Sequence, residues 1–135
     1  MPHKSVLYFR KLAVEAARLA DQKKGEDIRL LKMKPRTSVA DYFLFVTADS
    51  TPQLEALDEH LSRLFKSHGI FPIHHEGLRS RTWKVLDYGG VLLHLMQRTA
   101  REFYALERLY PNARPVCWNP KNRKKSAARK PKKTD

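Results

Sequence analysis

Glu76-Gly-Leu-Arg-Ser-Arg-Thr-Trp83-Lys-Val-Leu-Asp87-Tyr-Gly-Gly-Val91-Leu-Leu-His-Leu-Met96 is the stretch on which the fold turns. Two strand-like runs, 82–87 and 91–96, flank Gly89-Gly90, a dipeptide that closes a tight hairpin. Thr99 and Glu102 then have the spacing of a capping box, which predicts a last helix through Tyr110. The stretch carries one Trp, an Asp beside a Tyr and an Arg-rich rim. It holds no catalytic arrangement, so it reads as sheet that binds rather than reacts.

Upstream, Asp41-Tyr-Phe-Leu-Phe-Val-Thr47 is aromatic and β-branched, as in a central strand covered on both faces. Ser50 and Thr51 are hydroxyl N-cap candidates with Pro52 directly behind. Leu54, Leu57, Leu61, Leu64 and Phe65 then form a helical stripe that ends at Gly69. A short strand is expected over 70–74 and another over 28–33, where Ile28 and Leu30 alternate with charged residues. Residues 6–20 predict a helix, with Phe9, Leu12, Ala13, Ala16, Leu19 and Ala20 at three- and four-residue spacing. Gly25, after Lys23-Lys24, suits its C-terminus. Pro111, Pro115 and Pro120 end regular structure, and 121–135 has the composition of a disordered segment.

The expected fold is therefore α/β, a mixed five-stranded sheet packed by three helices. A helix between the second and third strands permits a parallel crossover. The expected organisation is one domain over 1–113 and a basic tail over 114–135.

The net charge of +13 is unevenly spread. Residues 114–135 hold nine Lys/Arg against one acid, and 1–36 hold ten against four. Residues 37–113 hold eight against nine. A polyanion such as RNA would suit the two basic ends. The single cysteine, Cys117, excludes an intrachain disulfide and suits a reducing compartment. No apolar run is long enough to span a membrane, and the first residues lack a secretory apolar region. A cytoplasmic protein without membrane contact is expected.

Each conspicuous residue also has a plain structural reading. Trp83 could be core, or a hot spot whose ring is desolvated while its N–H is satisfied. Asp87 is a turn former and also an acceptor suited to a partner's Lys or Arg. His74 and His75 point to opposite faces of a strand, and His60 and His68 are too far apart for one ion, so no metal and no cofactor are expected. His94 reads as a hydrogen-bonded sheet histidine. The loop 47–51 leads to a helix N-terminus but lacks the glycines and lysine of a phosphate loop. Asp41 and Asp49 sit at opposite ends of one strand, which argues against a metal-dependent nucleotidyltransferase.

Several motifs agree in order and spacing: Gly25-Glu-Asp-Ile28, Ser38-Val-Ala-Asp-Tyr-Phe43, Glu76-Gly77, Trp83-Lys-Val-Leu-Asp-Tyr-Gly89, His94-Leu-Met96 and Arg101-Glu-Phe-Tyr-Ala-Leu-Glu-Arg-Leu-Tyr110. Over about 100 residues the chain resembles the ribosomal silencing factor family, RsfS, also called Iojap. The resemblance implies a nucleotidyltransferase-like fold without catalytic acids, hence no enzyme. It implies docking on the fourteenth ribosomal protein of the large subunit, at the inter-subunit face. Bound there, the factor blocks small-subunit joining and represses translation under nutrient limitation. Organelle relatives act in large-subunit assembly, which leaves an RNA-binding assembly factor as the alternative, and some relatives form homodimers. Family members often have Gly-Thr-Ser where this chain has Ala48-Asp49-Ser50, and Cys in place of Ala40; both keep small residues. The resemblance puts Trp83 on the partner-facing surface, with Asp87, Tyr88, Glu76, Gly77 and Met96 around it. The tail lies outside the family core, and rRNA contact by it rests on charge alone.

Overall fold

The computed structural model describes residues 6–33, 40–77, 80–104 and 112–119. Its elements are α1 (Val6–Gln22), β1 (Glu26–Lys32), β2 (Tyr42–Ala48), α2 (Thr51–Ser67), β3 (His74–Glu76), β4 (Trp83–Asp87), β5 (Val91–Gln97), α3 (Arg98–Tyr104) and β6 (Arg114–Pro115). They build one six-stranded mixed sheet in the order β3-β4-β5-β2-β1-β6. β2 and β5 form its parallel centre, and the other neighbouring pairs are antiparallel.

The strand count is a correction. Six strands replace five because Arg114–Pro115 pairs with Leu31 and Lys32 at the edge. An edge position tolerates proline, whose missing N–H then costs no ladder bond. Val116 follows, buried, with its N–H donating to the Leu30 carbonyl, and Trp118 packs against the core. Residues of the 114–119 stretch thus pair with the sheet edge and pack on the core. Residues 120–135 lie outside the described residues, as do residues 105–110 of the expected last helix.

α1 buries a strip of Leu12, Ala13, Ala16, Ala17 and Ala20, small residues that let the helix lie close on the sheet. Its end uses Lys24 in the left-handed region (φ 68°), one residue before the expected glycine. Gly25 serves a different need: a Cβ there would lie 2.7 Å from Val46 Cγ1. α2 is capped by Ser50, whose hydroxyl accepts from the Gln53 N–H at 3.2 Å, with Pro52 in the first turn. Its buried residues are Leu54, Leu57, Leu61 and Phe65. Full burial of each such side chain contributes about 1.5–3 kcal/mol. Gly69 (φ 74°) stops the helix, and the Ile70 N–H closes onto the Phe65 carbonyl at 3.0 Å.

α1 and α2 both cover one sheet face, against Tyr42, Leu44, Val46, Leu93 and Leu95. Two local expectations shift. The strand expected over 70–74 begins at His74, after an irregular stretch in which Ile70 is buried while Phe71 and Ile73 are exposed. α3 starts at Arg98, so Thr99 lies inside the first turn rather than capping it. The crossover from β2 through α2 reaches β3, but the strand lying parallel beside β2 is β5. Among the described residues no helix is long and apolar enough to cross a membrane, and no His/Cys/Asp/Glu group could hold a metal ion.

Candidate partner-binding face

The opposite face of the sheet carries the candidate site. Residues paired across neighbouring strands share a face. Register therefore lines up Trp83 with Met96 and Thr47, Glu76 with Val85, His94 and Phe45, and His74 with Asp87, Leu92 and Phe43. Four of the six expected site residues, Glu76, Trp83, Asp87 and Met96, are thus on one face.

Their exposures differ. Trp83 is half-buried and Glu76 exposed, whereas Met96, directly beside Trp83, is buried at 1% and forms floor rather than surface. Asp87 is half-buried, and its Oδ1 accepts from the Gly89 N–H at 2.9 Å. This is the turn-forming role that its residue type allows. Trp83 and Asp87 end the same strand, roughly 13 Å apart at 3.3 Å per residue.

Trp83 is held from several directions. Its indole Nε1–H donates to His94 Nδ1 at 3.2 Å, making His94 the hydrogen-bonded sheet histidine expected from its apolar neighbours. Indole nitrogen only donates, so Nδ1 of the neutral imidazole carries no proton. The His94 ring stacks on Phe45, with centroids 5.0 Å apart and planes 6° apart. The buried Arg101 guanidinium lies 5.5 Å from the Phe45 centroid and donates to Thr47 Oγ1 at 2.7 Å. Further acids clamp this end: Asp27 is 3.7 Å from Arg101, and Glu26 pairs with Arg98. Asp27 takes φ 46° beside the irregular register of β1. An indole whose N–H is already satisfied can offer its ring face to an apolar partner.

Gly77 has a structural reason to be glycine. It sits at φ 77°, and a Cβ would come within 2.3 Å of the Trp83 carbonyl oxygen. The Trp83 N–H donates to Ser80 Oγ at 3.0 Å, and the Ser80 N–H to the Gly77 carbonyl at 2.9 Å. Gly77 therefore shapes the backbone beneath Trp83. Lys84 was missed as a candidate. It is 1% exposed, and its Nζ donates to the Gly77 carbonyl at 3.1 Å, with Glu55 and Asp58 at 3.7 and 3.8 Å. Asp58 also meets His75 at 3.3 Å. The period-two pattern of Trp83-Lys-Val-Leu-Asp87 signals this, since it sends Lys84 to the same side as Leu86, under α2.

Tyr88 is not on this face. It is 3% exposed on the helix side, with its ring stacked on Phe65 at 3.9 Å and 9°. Burial raises its phenol pKa above the usual 10.0, the nearby Ser62 hydroxyl opposes that, and the Asp58 charge adds to it. The Gly89-Gly90 turn gives the reason: past the last β4 residue the chain bends inward, and Gly90 lies so close to the Phe9 ring that a Cβ would overlap it.

Comparison with known proteins bears on the family and the fold. The family model described as ribosomal silencing factor during starvation matches residues 8–135. The chain is 33% identical over 105 residues to the ribosomal silencing factor RsfS of Halalkalibacterium halodurans, covering 78% of this chain and 87% of that one. It is 31% identical over 97 residues to the mouse protein named mitochondrial assembly of ribosomal large subunit protein 1, covering 68% of this chain but only 42% of that one. A crystal structure of a Chromobacterium violaceum protein superposes with a TM-score of 0.71 at 30% identity, over 84% of this chain and 92% of the other. The motif order, the sheet and these matches converge: the chain belongs to the ribosomal silencing factor family, RsfS.

Proposed function

We propose that this protein represses translation by docking on the large ribosomal subunit through the β3–β4 end of the sheet face opposite α1 and α2. The docked body stands where the small subunit would join. Trp83 supplies the apolar anchor, and Glu76 and Asp87 on the same face receive basic groups of the partner, the fourteenth ribosomal protein of the large subunit. The observation that carries this reading is the partly exposed Trp83, its N–H satisfied by His94 and its ring beside the His94–Phe45 stack. Family membership supports a ribosomal partner. The near-neutral balance of residues 37–113 supports a protein rather than a nucleic acid at this face.

No reaction step is required, only an interface of ordinary size, about 1,600 Å² in total. The test is sedimentation of purified subunits with and without the protein. Fewer whole ribosomes, with the protein travelling on the large subunit, is the expected result. Undiminished whole ribosomes with the protein left at the top of the gradient would refute it. A second reading, large-subunit assembly, takes support from the name of the mouse relative. Large subunits that accumulate as precursors when the protein is removed would favour it.

A further inference from the structure

We infer that the outer face of α1 and the root of the C-terminal segment form one surface for the phosphate backbone of folded RNA, on the opposite side of the sheet from Trp83. Arg10, Lys11 and Arg18 are all exposed. At 100° per residue they fall within one sector of α1, turned away from the Leu12–Ala16–Ala20 strip that packs on the sheet. Among the described residues none of the three has a carboxylate within ion-pair range. Two acids accompany this row: Glu15 is turned to His68, with Oε1 3.3 Å from Nε2, and exposed Asp21 stands at its C-terminal end, three residues past Arg18. Tyr8, Arg10, Lys11, Glu15, Arg18 and His68 line a shallow groove here.

The second observation joins the two basic ends of the sequence. Arg18 Nε donates to the Trp118 carbonyl at 2.7 Å, a contact across 100 positions. The backbone at Trp118 therefore lies beside the cationic row. Residues 120–135 carry eight Lys/Arg and one acid. The contact thus joins residues from the two basic ends of the sequence, on either side of its neutral middle.

The chemistry favours RNA over the other polyanions. A helix that binds a membrane surface must sink an apolar face into lipid. The apolar side of α1 is already buried against β2, and only Leu7 and Val14 lie among its outward cations. An acidic protein would need complementary pockets, whereas a row of exposed cations matches a repeating line of phosphates. Tyr8 and Trp118 add aromatic edges beside the row.

The test uses the full chain and a short RNA hairpin that carries no ribosomal protein, so its failure leaves the docking reading untouched. The variant R10Q/K11Q removes two exposed charges without internal partners, and its thermal melt verifies the fold. Each lost phosphate contact should reduce the salt slope of log K by about 0.7–0.9, and affinity in low salt should fall on the order of tenfold. R18Q should weaken binding further, whereas W83A should leave it unchanged. An unchanged slope for R10Q/K11Q would overturn the inference and assign RNA contact to the tail alone. Equal or tighter binding to phosphatidylserine vesicles or to polyglutamate would overturn it in favour of a membrane or an acidic protein. Loss of RNA binding by W83A would overturn the separation into two surfaces.

Discussion

The two faces of the sheet are packed in different ways. The helix-covered face is closed by leucines and alanines from α1 and α2. The other is floored by Phe43, Phe45 and Leu92, with His94, Arg101 and Trp83 arranged over them by directed contacts. Aliphatic packing has no preferred direction and serves stability. A stack fixed by an indole–imidazole hydrogen bond and a guanidinium over a ring holds one side chain in one orientation, the property that the proposed docking uses.

Substitutions can test this contrast. The largest expected effect on stability is on the helix side. Leu57→Ala should cost about 2–5 kcal/mol, read as a lower denaturant midpoint, because Leu57 is fully buried and its removal leaves a cavity. Large-subunit binding by the fraction that stays folded should be normal. Gly77→Ala should cost about 1–3 kcal/mol from its left-handed backbone and the close Trp83 carbonyl. Unlike Leu57→Ala, it should also disturb Trp83 and change the tryptophan fluorescence of the folded protein. If it leaves both fluorescence and binding intact, Trp83 does not depend on that turn.

The smallest effect is expected at Tyr88. Folded Tyr88 keeps its proton to higher pH than unfolded tyrosine, which ionises near 10.0. Its contribution is therefore fully present below pH 10 and is lost as pH rises through the raised folded value. Tyr88→Phe should change stability at neutral pH by less than about 1 kcal/mol, and it should flatten the loss of stability in alkali. It should not touch docking. A clear docking defect in a folded Tyr88→Phe protein would mean that the helix side also meets the partner.

Much of this contrast was legible in the sequence, for physical reasons. Alternation in Trp83-Lys-Val-Leu-Asp87 fixed the strand and put Trp83 and Asp87 on one side, and the all-apolar 42–46 run marked a strand covered on both faces. Other features depend on partners distant in sequence. Tyr88 follows the last β4 residue, so its direction is set by the turn, by Phe9 and by Phe65, not by period. Met96 shares the face of Trp83 yet is covered, and alternation tells side but not depth. The two-residue β6 exists only because β1 offers an edge, and Pro115 argues against a strand until that edge is known. The Arg18–Trp118 contact that gathers the basic ends has no local signature.

The most direct measurement of the central claim is the affinity of the Trp83→Ala protein for purified large subunits, by co-sedimentation over a concentration series, beside its melting curve. The account predicts a folded protein whose binding is weaker by about 30-fold or more, the loss of a central aromatic anchor. A folded Trp83→Ala protein that sediments with large subunits as the unaltered chain does would contradict it.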